Sequence, residues 1–147
     1  MVYISIDIET SGLDHEKHKV LSIGAIIEDT EKKLPYEECP KFNAIVLQNE
    51  ITGSPRAITM NGGIIQMIGE YLEGTDETRH LMNTHSDYSF YEKDEVVKKF
   101  YEFLWVNGYG DAVPNQLLVT SKIDSNSKPI TAEFKAVALS KWFLLLI

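Results

Sequence analysis

With 147 residues and 16.7 kDa, the chain has room for one domain of ordinary size, burying about two-thirds of the surface that its unfolded form exposes. A composition of 44% hydrophobic, 24% charged and 10% aromatic residues excludes a disordered chain, a collagen-like chain and a bare coiled coil. The net charge of −8 argues against a general basic surface for gripping nucleic acid, and the acidity is unevenly placed: residues 111–147 hold three acids and four bases, leaving −9 on residues 1–110.

In chain order, residues 2–8 (VYISIDI) are rich in β-branched side chains that partly alternate, which predicts a strand with Asp7 at its end. A Thr-Ser-Gly turn follows. After a charged connection, residues 20–27 (VLSIGAII) form a nearly continuous apolar run, the pattern of a strand buried on both faces. It is expected to lie beside the first strand, its neighbour in sequence. Residues 28–40 predict a loop and residues 42–47 (FNAIVL) a third strand.

Ser54-Pro55 predicts a helix start, because Ser can cap free amides and Pro at the first position gives up only an amide that had no partner. Gly62-Gly63 weakens the middle of the following apolar stretch by about 1 kcal/mol per glycine, predicting a kink or two short helices. In residues 94–106, Val97, Phe100, Tyr101, Leu104 and Trp105 recur at three- and four-residue spacing, with Asn107-Gly108 as the stop. Residues 108–129 predict loops, with a short strand over 117–120. Residues 132–147 form an atypical tail that ends on six apolar residues, so it must pack, pair with a partner or aggregate.

No apolar run approaches the roughly 18 residues needed to cross a bilayer, and the first residues lack the layout of a signal peptide; no membrane contact and a cytoplasmic location are expected. The single cysteine, Cys39, leaves no internal disulfide and no multi-cysteine zinc cluster.

The strongest chemical signal is Asp7-Ile8-Glu9-Thr10-Ser11-Gly12-Leu13. Side chains alternate along a strand, so Asp7 and Glu9 point to one face, about 7 Å apart along the backbone. Converging carboxylates resist joint ionisation unless a cation is present, and hard oxygen ligands suit Mg²⁺ or Mn²⁺. Gly12 is expected to supply a positive φ in the tight turn.

An apolar strand, this acid pair, Thr-Ser-Gly-Leu and a second apolar strand beginning 13 residues after Asp7 together resemble the first motif of the DEDD superfamily of 3′-to-5′ exonucleases, in the ribonuclease T and proofreading-subunit branch. The match is close over residues 3–28. The resemblance implies an α/β fold of ribonuclease H-like type: a mixed sheet whose first three strands form an antiparallel meander flanked by helices, occupying residues 1–131. It also implies a phosphodiesterase that removes mononucleotides from the 3′ end of single-stranded DNA or RNA using two ions of Mg²⁺ or Mn²⁺. Asp7 and Glu9 would be the catalytic metal ligands, Thr10 would meet the terminal nucleotide through its hydroxyl or amide, and Leu13 would pack on the terminal base.

The family's second motif is an Asn followed four residues later by Asp, and its third places a His or Tyr four or five residues before a final Asp. Neither has a counterpart after residue 128, and the last Asp is Asp124. His80 and His85 before Asp87 lack the spacing and read as surface histidines. Asn107 and Asp111 have the spacing but sit among glycines at a helix stop, where turn chemistry accounts for both. The expectation is a chain that is family-like to about Thr131 and then departs from it, incomplete at its C-terminus, with two-ion hydrolysis severely impaired. The competing expectation is a catalytically inactive remnant serving as a binding or self-association module, a homodimer or another protein complex formed through the apolar tail.

Overall fold

The computed structural model describes residues 2–14 and 16–109. Four strands and four helices follow in the order β1 (Val2–Thr10), β2 (Val20–Asp29), β3 (Lys41–Leu47), α1 (Pro55–Met60), α2 (Gly62–Glu73), α3 (Asp76–His85), β4 (Ser89–Glu92) and α4 (Lys93–Val106). The sheet order is β1-β2-β3-β4. The first three strands form the expected antiparallel meander and β4 joins β3 in parallel, so the sheet is mixed and the fold is α/β. The expected 117–120 strand, Asp111 and the 132–147 tail lie outside the described residues.

Helices cover the two faces of the sheet through separate clusters. On one face, Ile23, Ala25 and Ile27 of β2 and Phe42, Ala44 and Val46 of β3 pack against Val96, Phe100 and Leu104 of α4, with Ile4, Ile6 and Ile8 of β1 at the margin. The fourfold spacing of Val96, Phe100 and Leu104 sets one buried stripe, and each such side chain contributes about 1.5 to 3 kcal/mol when fully removed from water. Phe42 meets Phe100 edge-on at 5.3 Å between ring centroids. On the other face, Leu21, Ile45, Leu47 and Phe90 pack against Ile68 of α2.

The sheet is irregular at one point that matters for the site. Glu9 pairs with Ser22 but Thr10 pairs with Val20, so Leu21 is the extra residue of a bulge. A bulge reverses the alternation beyond it. Val20 therefore joins the α4 cluster and Leu21 the α2 cluster, although Ile23, Ala25 and Ile27 share the parity of Leu21.

The Gly62-Gly63 region divides two helices as expected, with the break at Asn61. Ser54 caps α1, its hydroxyl accepting from the Ala57 amide at 3.3 Å. The predicted 28–40 loop is shortened by the extension of β2 to Asp29 and holds one 3-10 turn, Tyr36–Glu38. Two elements carry no expectation from periodicity, α3 and β4. Among the described residues, no helix is long and apolar enough to cross a membrane.

Candidate metal and nucleotide site

Asp7 lies within β1 instead of at its end, since pairing continues to Thr10. Ile4, Ile6 and Ile8 turn toward the α4 cluster, so alternation carries Asp7 and Glu9 to the opposite face. Across the sheet on that face, Asp7 stands beside Gly24 and then Asn43, and Glu9 beside Ser22 and then Ile45. Ile45 is covered by α2, whereas Asp7 is exposed and Glu9 half-buried. The two carboxylates thus occupy the half of the face that no described helix covers, beside a half roofed by α2. Among the described residues neither has a hydrogen-bond or ion-pair partner.

The Thr10–Leu13 turn is pinned from beneath. Ser11 is fully buried, at 0% exposure. Its hydroxyl donates to the Thr52 carbonyl at 2.6 Å and accepts from the Lys19 amide at 2.8 Å. Its amide donates to the Lys19 carbonyl, and its carbonyl accepts from the Ser54 amide, each at 2.9 Å. The turn is in this way tied to the start of β2 and to the cap of α1. The approach is close enough that a Cβ on Gly53 would overlap the Ser11 carbonyl.

Gly12 differs from expectation. Among the described residues the only glycine with a positive φ is Gly108, at 86°, just past the end of α4. Gly12 is required for space: a Cβ there would fall on the imidazole of His18, whose Nδ1 accepts the Asp14 amide at 2.9 Å. Hydrogen bonds from the Lys17 side chain and the Glu16 amide, together with the Lys17 charge, hold the Asp14 carboxyl below its ordinary value of 3.8.

Thr10 and Leu13, the expected nucleotide contacts, share this turn but present themselves differently. The Thr10 hydroxyl donates to the Gly12 carbonyl at 2.9 Å, so its proton is committed to the turn and only its oxygen can accept from a ligand. Leu13 is 91% exposed and belongs to neither apolar cluster of the described residues. A buried residue that periodicity did not single out, Asn61, donates from its side-chain amide to the Thr10 carbonyl at 3.0 Å. The only local signal for it is an Asn at a helix break, a common capping choice.

The remaining candidates stand apart from this site. His80 and His85 are exposed on α3. Asn107 caps α4 by donating to the Phe103 carbonyl at 2.7 Å, which is the turn role its setting predicts. The Cys39 thiol faces the carbonyls of Leu34 and Pro35 and is free.

Two carboxylates on one face, without a partner among the described residues, fit Mg²⁺ or Mn²⁺, because Mg²⁺ keeps several waters and is commonly held by one or two carboxylates plus a substrate phosphate. Among the described residues no group of three or more His, Cys, Asp or Glu side chains could hold a metal together. Comparison with family models, curated proteins and solved structures gives no match for this chain.

Proposed function

We propose that this chain is a metal-dependent phosphodiesterase of the 3′-to-5′ exonuclease type, with a ribonuclease H-like fold, acting on the 3′ end of single-stranded DNA or RNA. The observation that supports it is the pair Asp7 and Glu9: without a partner among the described residues, on the half of a sheet face that no described helix covers, beside a turn tied down by Ser11. A bound divalent ion supplies Lewis-acid polarisation of a phosphodiester and charge neutralisation at the leaving oxygen. Asp7 and Glu9 hold that ion, Thr10 offers its hydroxyl oxygen as an acceptor to the terminal nucleotide, and Leu13 offers its bare apolar surface to the terminal base. Recognition of a strand end by these few contacts is compatible with a net charge of −8, since stacking and the ion replace a basic groove.

One observation favours a second reading, binding without hydrolysis. Two carboxylates hold one ion well, and no further ligand joins them among the described residues. The test is release of mononucleotides from a 3′-labelled single-stranded oligonucleotide with Mn²⁺, for the full chain and Asp7→Ala. Release that is lost in Asp7→Ala supports the exonuclease reading. Oligonucleotide binding that depends on Mn²⁺ and Asp7 without release supports the second. Release unaffected by Asp7→Ala overturns the assignment of the site.

A further inference from the structure

We propose that Asn61 is a positioning residue for the cation site, setting the place of Glu9 relative to Asp7 through the backbone at Thr10; the inference rests on the reading of Asp7 and Glu9 as cation ligands.

Asn61 is only 8% exposed, whereas its neighbours Met60, Gly62 and Gly63 are exposed. A polar side chain buried at an otherwise exposed helix break is held there by what it bonds. The Asn61 amide donates to the Ala57 carbonyl at 2.9 Å and its carbonyl accepts from the Ile65 amide at 3.0 Å, so its backbone joins α1 to α2. Its side chain then reaches 51 residues back along the chain to the Thr10 carbonyl.

The place where it lands is the irregular step of the sheet. Register shifts between Glu9 and Thr10, where Leu21 of β2 is the inserted residue and the ladder is locally disrupted. Asp7, two residues before Glu9, sits in regular pairing opposite Gly24. Glu9 is the last residue in register. A hydrogen bond on the carbonyl of the next residue, Thr10, therefore adds a tie at the end of the ligand pair where the ladder is disrupted. Ser11 fixes the next residue to the loops at 19 and 52–54, so Asn61 completes a support that runs from Glu9 to the turn. The break between α1 and α2 at Asn61 is what brings the carboxamide within reach.

Mn²⁺ titrated by electron paramagnetic resonance into wild type, Asp7→Ala, Asn61→Ala and Asn61→Leu, well below their melting temperatures, tests this. Leu preserves the bulk of Asn and removes the donor, and it covers the case in which the Ala variant fails to fold. The expected result is an affinity lowered about fivefold to tenfold in both Asn61 variants, with binding still stronger than in Asp7→Ala. Faster amide exchange over residues 10–13 is expected in the metal-free Asn61 variants. A purely structural role would lower the melting temperature yet leave the affinity of the folded chain unchanged, and that result overturns the proposal. Absence of Mn²⁺ binding by the wild type overturns the cation reading and this inference together, whereas wild-type binding with unchanged Asn61 variants overturns this inference alone.

Discussion

Gly12 lies so close to His18 that a β-carbon at position 12 would overlap the imidazole ring, and the ring cannot swing away freely because its Nδ1 holds the Asp14 amide. The tightness of the turn after Glu9 thus depends on a contact six residues apart and not on the backbone freedom of glycine. Gly12→Ala is expected to destabilise the chain by about 1 to 3 kcal/mol, the usual cost of forcing a carbon into filled space. In a His18→Ala background the same substitution should cost much less, and denaturant melts of the four chains of that double-mutant cycle measure the difference. Equal costs in both backgrounds would place the strain elsewhere.

Ser11 has two side-chain hydrogen bonds and no exposure. Ser11→Ala leaves the Thr52 carbonyl and the Lys19 amide without this partner, each at a cost of about 1 to 3 kcal/mol when water cannot reach it. The melting temperature should fall by roughly 3 to 5 °C per kcal/mol lost, read by calorimetry.

Leu13 should behave in the opposite way. Because it is 91% exposed, Leu13→Ala is expected to leave stability within about 0.5 kcal/mol of wild type. Its loss should weaken binding of a single-stranded oligonucleotide in Mn²⁺ by about tenfold, the equivalent of roughly 1.4 kcal/mol of apolar burial. Fluorescence anisotropy with a 3′-end-labelled strand separates the two effects.

The pH dependence of the turn has a defined sign. The Asp14 carboxyl is held low by the Lys17 side chain and the Glu16 amide, so its contribution to stability is present above the ordinary carboxylate value and is lost as pH falls through the lowered one. Asp14→Asn should therefore be less stable than wild type at neutral pH, and the gap should close in acid. The pair is exposed and its ion bridge of 3.2 Å is short-range, so added salt should narrow the gap as well.

Much of the meander was legible because its signals are local. The apolar run at 20–27 predicts a central strand and β2 occupies that place; Ser54-Pro55 and the spacing of Phe100 and Leu104 likewise mark α1 and α4. The same-face placement of Asp7 and Glu9 follows from strand alternation alone. What stayed hidden is held by distant partners. Helix α3 is polar and exposed along most of its length, and it is anchored by Arg79, which donates to the Tyr71 and Leu72 carbonyls at the end of α2. Thr75 before Asp76 and Glu77 was a readable capping signal, and its hydroxyl does accept the Thr78 amide at 3.2 Å. Strand β4 has four residues, too few for a period, and is placed by parallel pairing to β3 and by Phe90 stacked on Tyr71 at 4.5 Å. At the site, the roles of His18 and Asn61 depend on contacts to Gly12 and Thr10 that no spacing rule connects.

The proposed exonuclease chemistry stands or falls with a divalent cation held by Asp7 and Glu9. The most direct measurement is the thermal stability of the full chain with and without Mn²⁺, in wild type and in Asp7→Ala. Binding to the native state alone stabilises by about 2.7 kcal/mol when the free ion is 100 times its dissociation constant. A clear upward shift of the wild-type transition, abolished by Asp7→Ala, is the expected result. No shift in the wild type, or an equal shift in Asp7→Ala, would contradict it.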